Sequence, residues 1–284
     1  MTTGTTSKSA PGSAAGRASG DVTEPTSSPV VVVGAGGYVG SRLTAGLARS
    51  GRTVLAASRR PLPDSAPDGG SWPGRVRPVT STGPDGLGDA VREACSRDGL
   101  PLPGGVIASI GGWQLGARLL DEPDLDGWRD TLDSHLTAHL AAVRALVPVL
   151  RDSAGPHPAY VVLNGAARDE PMAGSGAVNV TGAGLAMLVR VLNLEEGVRA
   201  GTGPGEAWPG EARPRETRPG DAPGPARTDA GPRRRVRFHE LVIDHAVAGD
   251  DRNVTPDRTV APSTVTAAVL STLTTPTTPA VVHV

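Results

Sequence analysis

Val30-Val31-Val32-Val33-Gly34-Ala35-Gly36-Gly37-Tyr38-Val39-Gly40-Ser41-Arg42-Leu43 is the stretch on which the fold of this chain turns. Four β-branched residues in a row read as a buried strand. The glycines that follow read as a tight turn, and Leu43 and Leu47 share one face of a helix. Gly34, Gly37 and Gly40 stand in a G-x-x-G-x-x-G pattern. Missing Cβ atoms there allow the turn, the approach of a pyrophosphate to the backbone, and close packing of helix on strand. Phosphates would meet the free N–H groups of the helix N-terminus, along with those of Tyr38 and Val39.

A second strand, Thr53 to Arg60, ends about 20 residues beyond the glycines, where a site for NAD carries an acid on the ribose. This strand ends in Ser58-Arg59-Arg60 instead. A hydroxyl followed by two guanidinium groups suits a ribose 2′-phosphate, which a carboxylate would repel. The expected cofactor is therefore NADP(H).

Outward from this opening, strand and helix patterns alternate. Arg75–Val79 is a short strand interrupted by Pro78, and Asp89–Arg97 is a helix. Gly105–Trp113 is a strand running into a glycine turn. Gly127–Arg151 carries an apolar stripe, with Pro148 expected to loosen its last turn. Tyr160–Asn164 is a strand, Val178–Glu195 a helix, Val236–Ile243 a strand, Ser263–Leu273 a helix and Val281–Val284 a last strand. The order predicts an α/β fold: one domain over residues 29–284 built on a doubly wound, mostly parallel sheet. Residues 1–28, rich in Thr, Ser, Gly, Ala and Pro, are expected to be a disordered tail, and about 197–234, rich in Pro, Gly and Arg, a disordered insertion.

The formal net charge of −1 argues against a nucleic-acid partner. Cys95 is the only cysteine, which excludes a disulfide framework and a cysteine-rich zinc site. The N-terminus lacks the order of a signal peptide and no apolar run reads as a membrane span, so the expectation is a cytoplasmic protein without a membrane partner. His135 and His139 are spaced as an i, i+4 pair but lack a third ligand, so no metal is expected.

Taken together, the glycine loop, the Ser-Arg-Arg strand end, the glycine turn after the fourth strand and the two long helices resemble the short-chain dehydrogenase/reductase superfamily, from about Pro29 to Val284 without the insertion. The resemblance implies a Rossmann-type fold of oxidoreductase descent. Gly34, Gly37, Tyr38, Val39 and Gly40 would lie on the diphosphate, and Ser58, Arg59 and Arg60 on the 2′-phosphate. Ser109, Ile110 and Gly111 would lie against the cofactor. The superfamily's tyrosine, lysine, serine and asparagine fall here on Val178, Gly182, Gly165 or Ala166, and His135. The tyrosines are Tyr38 and Tyr160, and the single lysine is Lys8. The usual acid–base machinery is therefore missing.

Residues of polar or aromatic character near the expected pocket are His135, Asn164, Asn179, Trp113 and Gln114. Asp169, Glu170, Asp244 and His245 lie on loops after strands. Three readings follow: a reductase with a non-standard proton donor, a catalytically inactive NADP-binding regulatory or partner subunit, and a non-redox isomerase or cyclase using the same pocket. The apolar stripes on the two long helices predict a homodimer or homotetramer joined through them.

Overall fold

The computed structural model describes residues 1–2, 28–83, 85–113, 116–122, 124–199, 234–250 and 257–284. Most of the expected tail and most of the expected insertion lie outside these residues. Seven strands form one parallel sheet: β1 (Val30–Val33), β2 (Val54–Ser58), β3 (Val76–Thr80), β4 (Gly105–Ala108), β5 (Ala159–Gly165), β6 (Arg237–Ile243) and β9 (Val281–His283). Their order is β3-β2-β1-β4-β5-β6-β9, so the chain starts in the middle and winds first to one edge, then to the other. That reversal leaves a crevice between the turns after β1 and β4, where open α/β sheets bind ligands. The doubly wound single domain read from the sequence is the observed architecture.

Side chains alternate across the sheet and define two apolar layers. Val31, Leu55, Val106, Tyr160, Val162 and Phe238 face α2 (Leu87–Arg97), α4 (Ala138–Arg151) and α5 (Gly176–Arg199). Val30, Val32, Val54, Ile107, Val161 and Leu241 face α1 (Tyr38–Arg49) and α6 (Pro262–Thr274). The β-branched runs are buried on both faces, as a parallel sheet requires. Pro78 sits exposed on edge strand β3, where its missing N–H leaves no ladder bond unmade. Tyr160 is fully buried against Phe238, with ring centroids 5.8 Å apart, and burial pushes its phenol far above the usual range. It is a core residue.

Three features differ from the expectation. The single helix read over Gly127–Arg151 is α3 (Asp126–Leu132), a π-helical turn at Asp133–Thr137, and α4. Helix α4 continues through Pro148 to Arg151. Two short strands, β7 (Ala246–Val247) and β8 (Thr259–Val260), pair outside the main sheet. Helix α5 has, over Gly176–Gly197, the length and apolar composition to cross a membrane, although no span was read there. In the fold its Leu185 and Val189 are buried in the layer against the sheet.

Candidate functional site

Two of the three glycines of the opening motif serve packing. Gly34 has φ +81°, in the left-handed region, and a Cβ there would collide with the carbonyl oxygen of Ser109. A Cβ on Gly40 would collide with the carbonyl of Gly34. These positions bring the β4 turn and α1 against the end of β1. Gly36 and Gly37 are exposed instead. Gly37 is the N-cap of α1 in extended backbone, without a side-chain cap and without an acid in the first turn. The first-turn N–H groups of Tyr38, Val39 and Gly40 have no intrahelical acceptor and the helix end is electropositive, so the turn presents a cradle for an anion. It is anchored from below: the Gly34 and Ala35 N–H groups donate to the Ala57 carbonyl at 3.0 and 3.1 Å.

At the end of β2, the Ser58 hydroxyl donates to the Arg60 carbonyl at 2.5 Å and tightens the turn. Arg59 and Arg60 are exposed, and among the described residues neither is paired with a carboxylate. After β4, the Ser109 N–H donates to the Val33 carbonyl at 2.9 Å, and Gly111 has φ +97°. The residues expected at a dinucleotide thus lie together on the ends of three adjacent strands, β2, β1 and β4. They fit the group, because the two glycines on the exposed side leave room that a side chain would fill.

Across the crevice, polar atoms are already engaged. The Gly112 N–H donates to His135 Nε2 at 3.1 Å, so the neutral ring carries its proton on Nδ1, facing the Thr181 hydroxyl at 3.5 Å. Thr181 in turn donates to the Val178 carbonyl at 3.1 Å. Desolvation holds the His135 pKa below its ordinary value. The π-helical turn carries this ring, and a Cβ on Gly111 would lie 3.0 Å from it. One turn on, buried His139 donates from Nε2 to the Ile110 carbonyl at 3.3 Å. Burial holds its pKa down to about 4, and its Nδ1 has no partner among the described residues.

Asn164 donates to the Gly182 carbonyl at 2.9 Å and to Glu240 Oε1 at 2.7 Å, while its own oxygen accepts the Gly165 N–H. Glu240, fully buried on β6, accepts from Arg168 through its other oxygen at 2.5 Å. Arg168 also lies 3.0 Å from Asp169. Asn179 accepts the Met172 N–H and donates to the Ala167 and Glu170 carbonyls, stapling the loop after β5. A Cβ on Gly182 would lie 3.2 Å from Arg168 Cα and 3.3 Å from Asn164 Oδ1. The place that resemblance assigns to a lysine is therefore tight, with the Arg168 main chain and the Asn164 amide close against it. Leu119 seats on Gly176, two residues before Val178, and the Gly116 N–H donates to the Gly174 carbonyl at 2.8 Å.

Trp113 is half-buried, and Gln114 lies outside the described residues. Asp244 pairs with His283 at 2.9 Å, and His245 is exposed. Among the described residues no group of three or more His, Cys, Asp or Glu comes together. Sequence reasoning missed Glu240, Arg168 and Thr181. The available signal was Glu240 itself, a carboxylate in the middle of the apolar strand Phe238-His239-Glu240-Leu241-Val242.

Fold and site together define a doubly wound α/β protein with an open, electropositive turn at the point where the strand order reverses. No family model matches the chain, and no curated protein matches it in sequence. Solved structures do. A short-chain dehydrogenase from Streptomyces avermitilis is 18% identical with a TM-score of 0.61, over 91% of this chain and 89% of that one. A short-chain dehydrogenase from Burkholderia cenocepacia in complex with NADP is 18% identical with a TM-score of 0.61, over 90% and 87%. A 3-oxoacyl-[acyl-carrier protein] reductase from Brucella melitensis with bound NAD is 16% identical with a TM-score of 0.62, over 90% and 89%. The chain has the fold of the short-chain dehydrogenases/reductases.

Proposed function

We propose that this chain is a divergent short-chain dehydrogenase/reductase that binds NADP(H) in the crevice between β1 and β4 and works without the acid–base groups of that superfamily. The observation that carries the reading is the contrast at the two sides of the crevice. Among the described residues, the first-turn N–H groups of Tyr38, Val39 and Gly40 have no intrahelical acceptor and the Arg59 and Arg60 guanidinium groups no carboxylate, whereas His135, Asn164 and Asn179 are committed to internal hydrogen bonds. Bound NADPH supplies a hydride. The chain supplies the phosphate cradle, the guanidinium groups for the 2′-phosphate and the glycine turn against the nicotinamide. Positioned acid–base help is worth roughly 10²–10⁴-fold, so turnover that draws its proton from solvent is slower by about that factor. Nucleotide-dependent binding, as a regulatory or partner subunit, is the role that best suits such a site.

The test is titration with NADPH and NADH in parallel, read by nicotinamide fluorescence, followed by NADPH consumption with a panel of ketones and quinones. Tighter binding of NADPH with little or no turnover supports the reading. An unchanged signal with both nucleotides overturns it, and rapid turnover abolished by His135→Ala replaces it with a reductase using that histidine.

Oligomerisation has its own support. Val180, Met187, Val191 and Leu194 on α5 and Leu140 on α4 are exposed. Four of them recur on one side of α5, the surface a second copy would cover. The expected solution state is a homodimer or homotetramer, and a monomer mass in light scattering would remove it.

A further inference from the structure

Tyr38 does two things at once. As the first residue of α1, it turns its main-chain N–H toward the phosphate cradle. Its side chain leaves in another direction and donates a hydrogen bond from the phenol to the Ala248 carbonyl at 2.8 Å, across 210 positions of sequence. Gly249 has φ +84°, and a Cβ there would stand 2.9 Å from the same hydroxyl, so the glycine keeps this approach open. The Arg42 guanidinium lies over the ring at 3.4 Å from its centroid and donates to the Tyr38 carbonyl at 3.2 Å.

The segment being held is short. Ala246 pairs with Thr259 and Val247 with Val260, and the Ala248 N–H donates to the Val260 carbonyl at 2.9 Å. Val247 and Val260 are buried in the same layer as Leu43 and Leu47 of α1. The segment leaves the C-terminal end of β6, at the edge of the sheet where the cofactor turns lie, and the Tyr38 hydroxyl binds it to the glycine turn.

We propose that Tyr38 is a positioning residue that straps Ala246–Asp250 onto the phosphate turn, so that seating a diphosphate on α1 and fixing this wall of the cleft are coupled events. The coupling rests on the dinucleotide reading above; the strap itself does not. A phenylalanine fills the same space without the hydrogen bond, which isolates the hydroxyl.

Hydrogen exchange on the full chain, wild type and Tyr38→Phe, with and without NADPH, tests it. In the free protein, Tyr38→Phe should speed exchange in 246–250 by roughly fivefold, the loss of one net hydrogen bond. In the wild type, NADPH should slow exchange in both the 34–40 turn and 246–250. In Tyr38→Phe, NADPH should still protect the turn, while protection of 246–250 disappears and the fluorescence of bound NADPH falls. Equal exchange of 246–250 in the two free proteins overturns the strap. NADPH protection of 246–250 that survives Tyr38→Phe overturns the coupling. If NADPH protects neither segment, the dinucleotide reading and the coupling fail together, and the comparison of the free proteins still decides the strap.

Discussion

The two sides of the crevice have gone different ways. At the ends of β1 and β2, the chain presents backbone N–H groups and guanidinium groups without protein partners among the described residues. At the end of β5 and the start of α5, Asn164, Arg168, Asn179 and Glu240 are joined in a network with backbone carbonyls and with one another. A binding surface needs unsatisfied groups held rigidly. A buried structural network needs the reverse, because each polar atom left unpaired there costs free energy. The first side keeps free donors facing outward, and the second is bound into the scaffold.

The largest expected effect lies in the absorbed side. Glu240→Ala takes from the buried Arg168 charge its buried counter-ion, leaving only the exposed Asp169, and should destabilise the fold by about 3–5 kcal/mol in denaturant melts. The folded fraction should keep its NADPH affinity. Loss of binding with an unchanged melt would mean that the network belongs to the ligand site and would erase the comparison.

Acid sharpens it next. His139 is neutral in the fold down to a pKa of about 4, against 6.5 in the unfolded chain. Between these values the unfolded state binds more protons, so stability is fully present above pH 6.5 and falls as the pH drops toward 4. The loss is about 3 kcal/mol. His135 and His239, also held below their ordinary values by burial, add in the same direction. Melting temperatures across that range should show the decline, and His139→Asn should make it shallower.

On the outward side, replacing Arg59 and Arg60 together by Ala should weaken NADPH binding by roughly 10–100-fold and leave NADH binding unchanged, as charge-assisted contacts to a 2′-phosphate require. Equal weakening for both nucleotides would place these groups elsewhere on the cofactor. The smallest effect belongs to His135→Ala. With Nε2 already accepting the Gly112 N–H, its removal should change NADPH affinity less than threefold by fluorescence titration. A larger change would show that the ring touches the cofactor.

Legibility along the chain followed the range of the interactions. The β1 turn and α1 were readable because valines, glycines and the leucine pair act within a dozen residues of one another. The expected helices from Gly127 and Val178 were found, though the first is broken at Asp133–Thr137, where the ring of His135 turns to Gly112. No local pattern announces a π-helical turn. Strands β7 and β8 are two residues each, below the length at which alternation can be seen. Asn164 and Asn179 were readable as candidate polar groups. Their partners were not, since Glu240 lies 76 residues from Asn164 and 72 from Arg168.

By itself the sequence determined that strands and helices alternate, that a glycine turn opens the fold onto an electropositive helix end, and that no tyrosine–lysine pair stands where the resemblance would need one. These follow from short-range sterics, side-chain periodicity and the identity of single residues. Only the tertiary structure decided which polar groups stay available and which are consumed. The hydrogen bonds that settle this, Asn164 to Glu240, Glu240 to Arg168, Gly112 to His135 and Tyr38 to Ala248, join segments far apart in the chain and exist only once the sheet has brought them together.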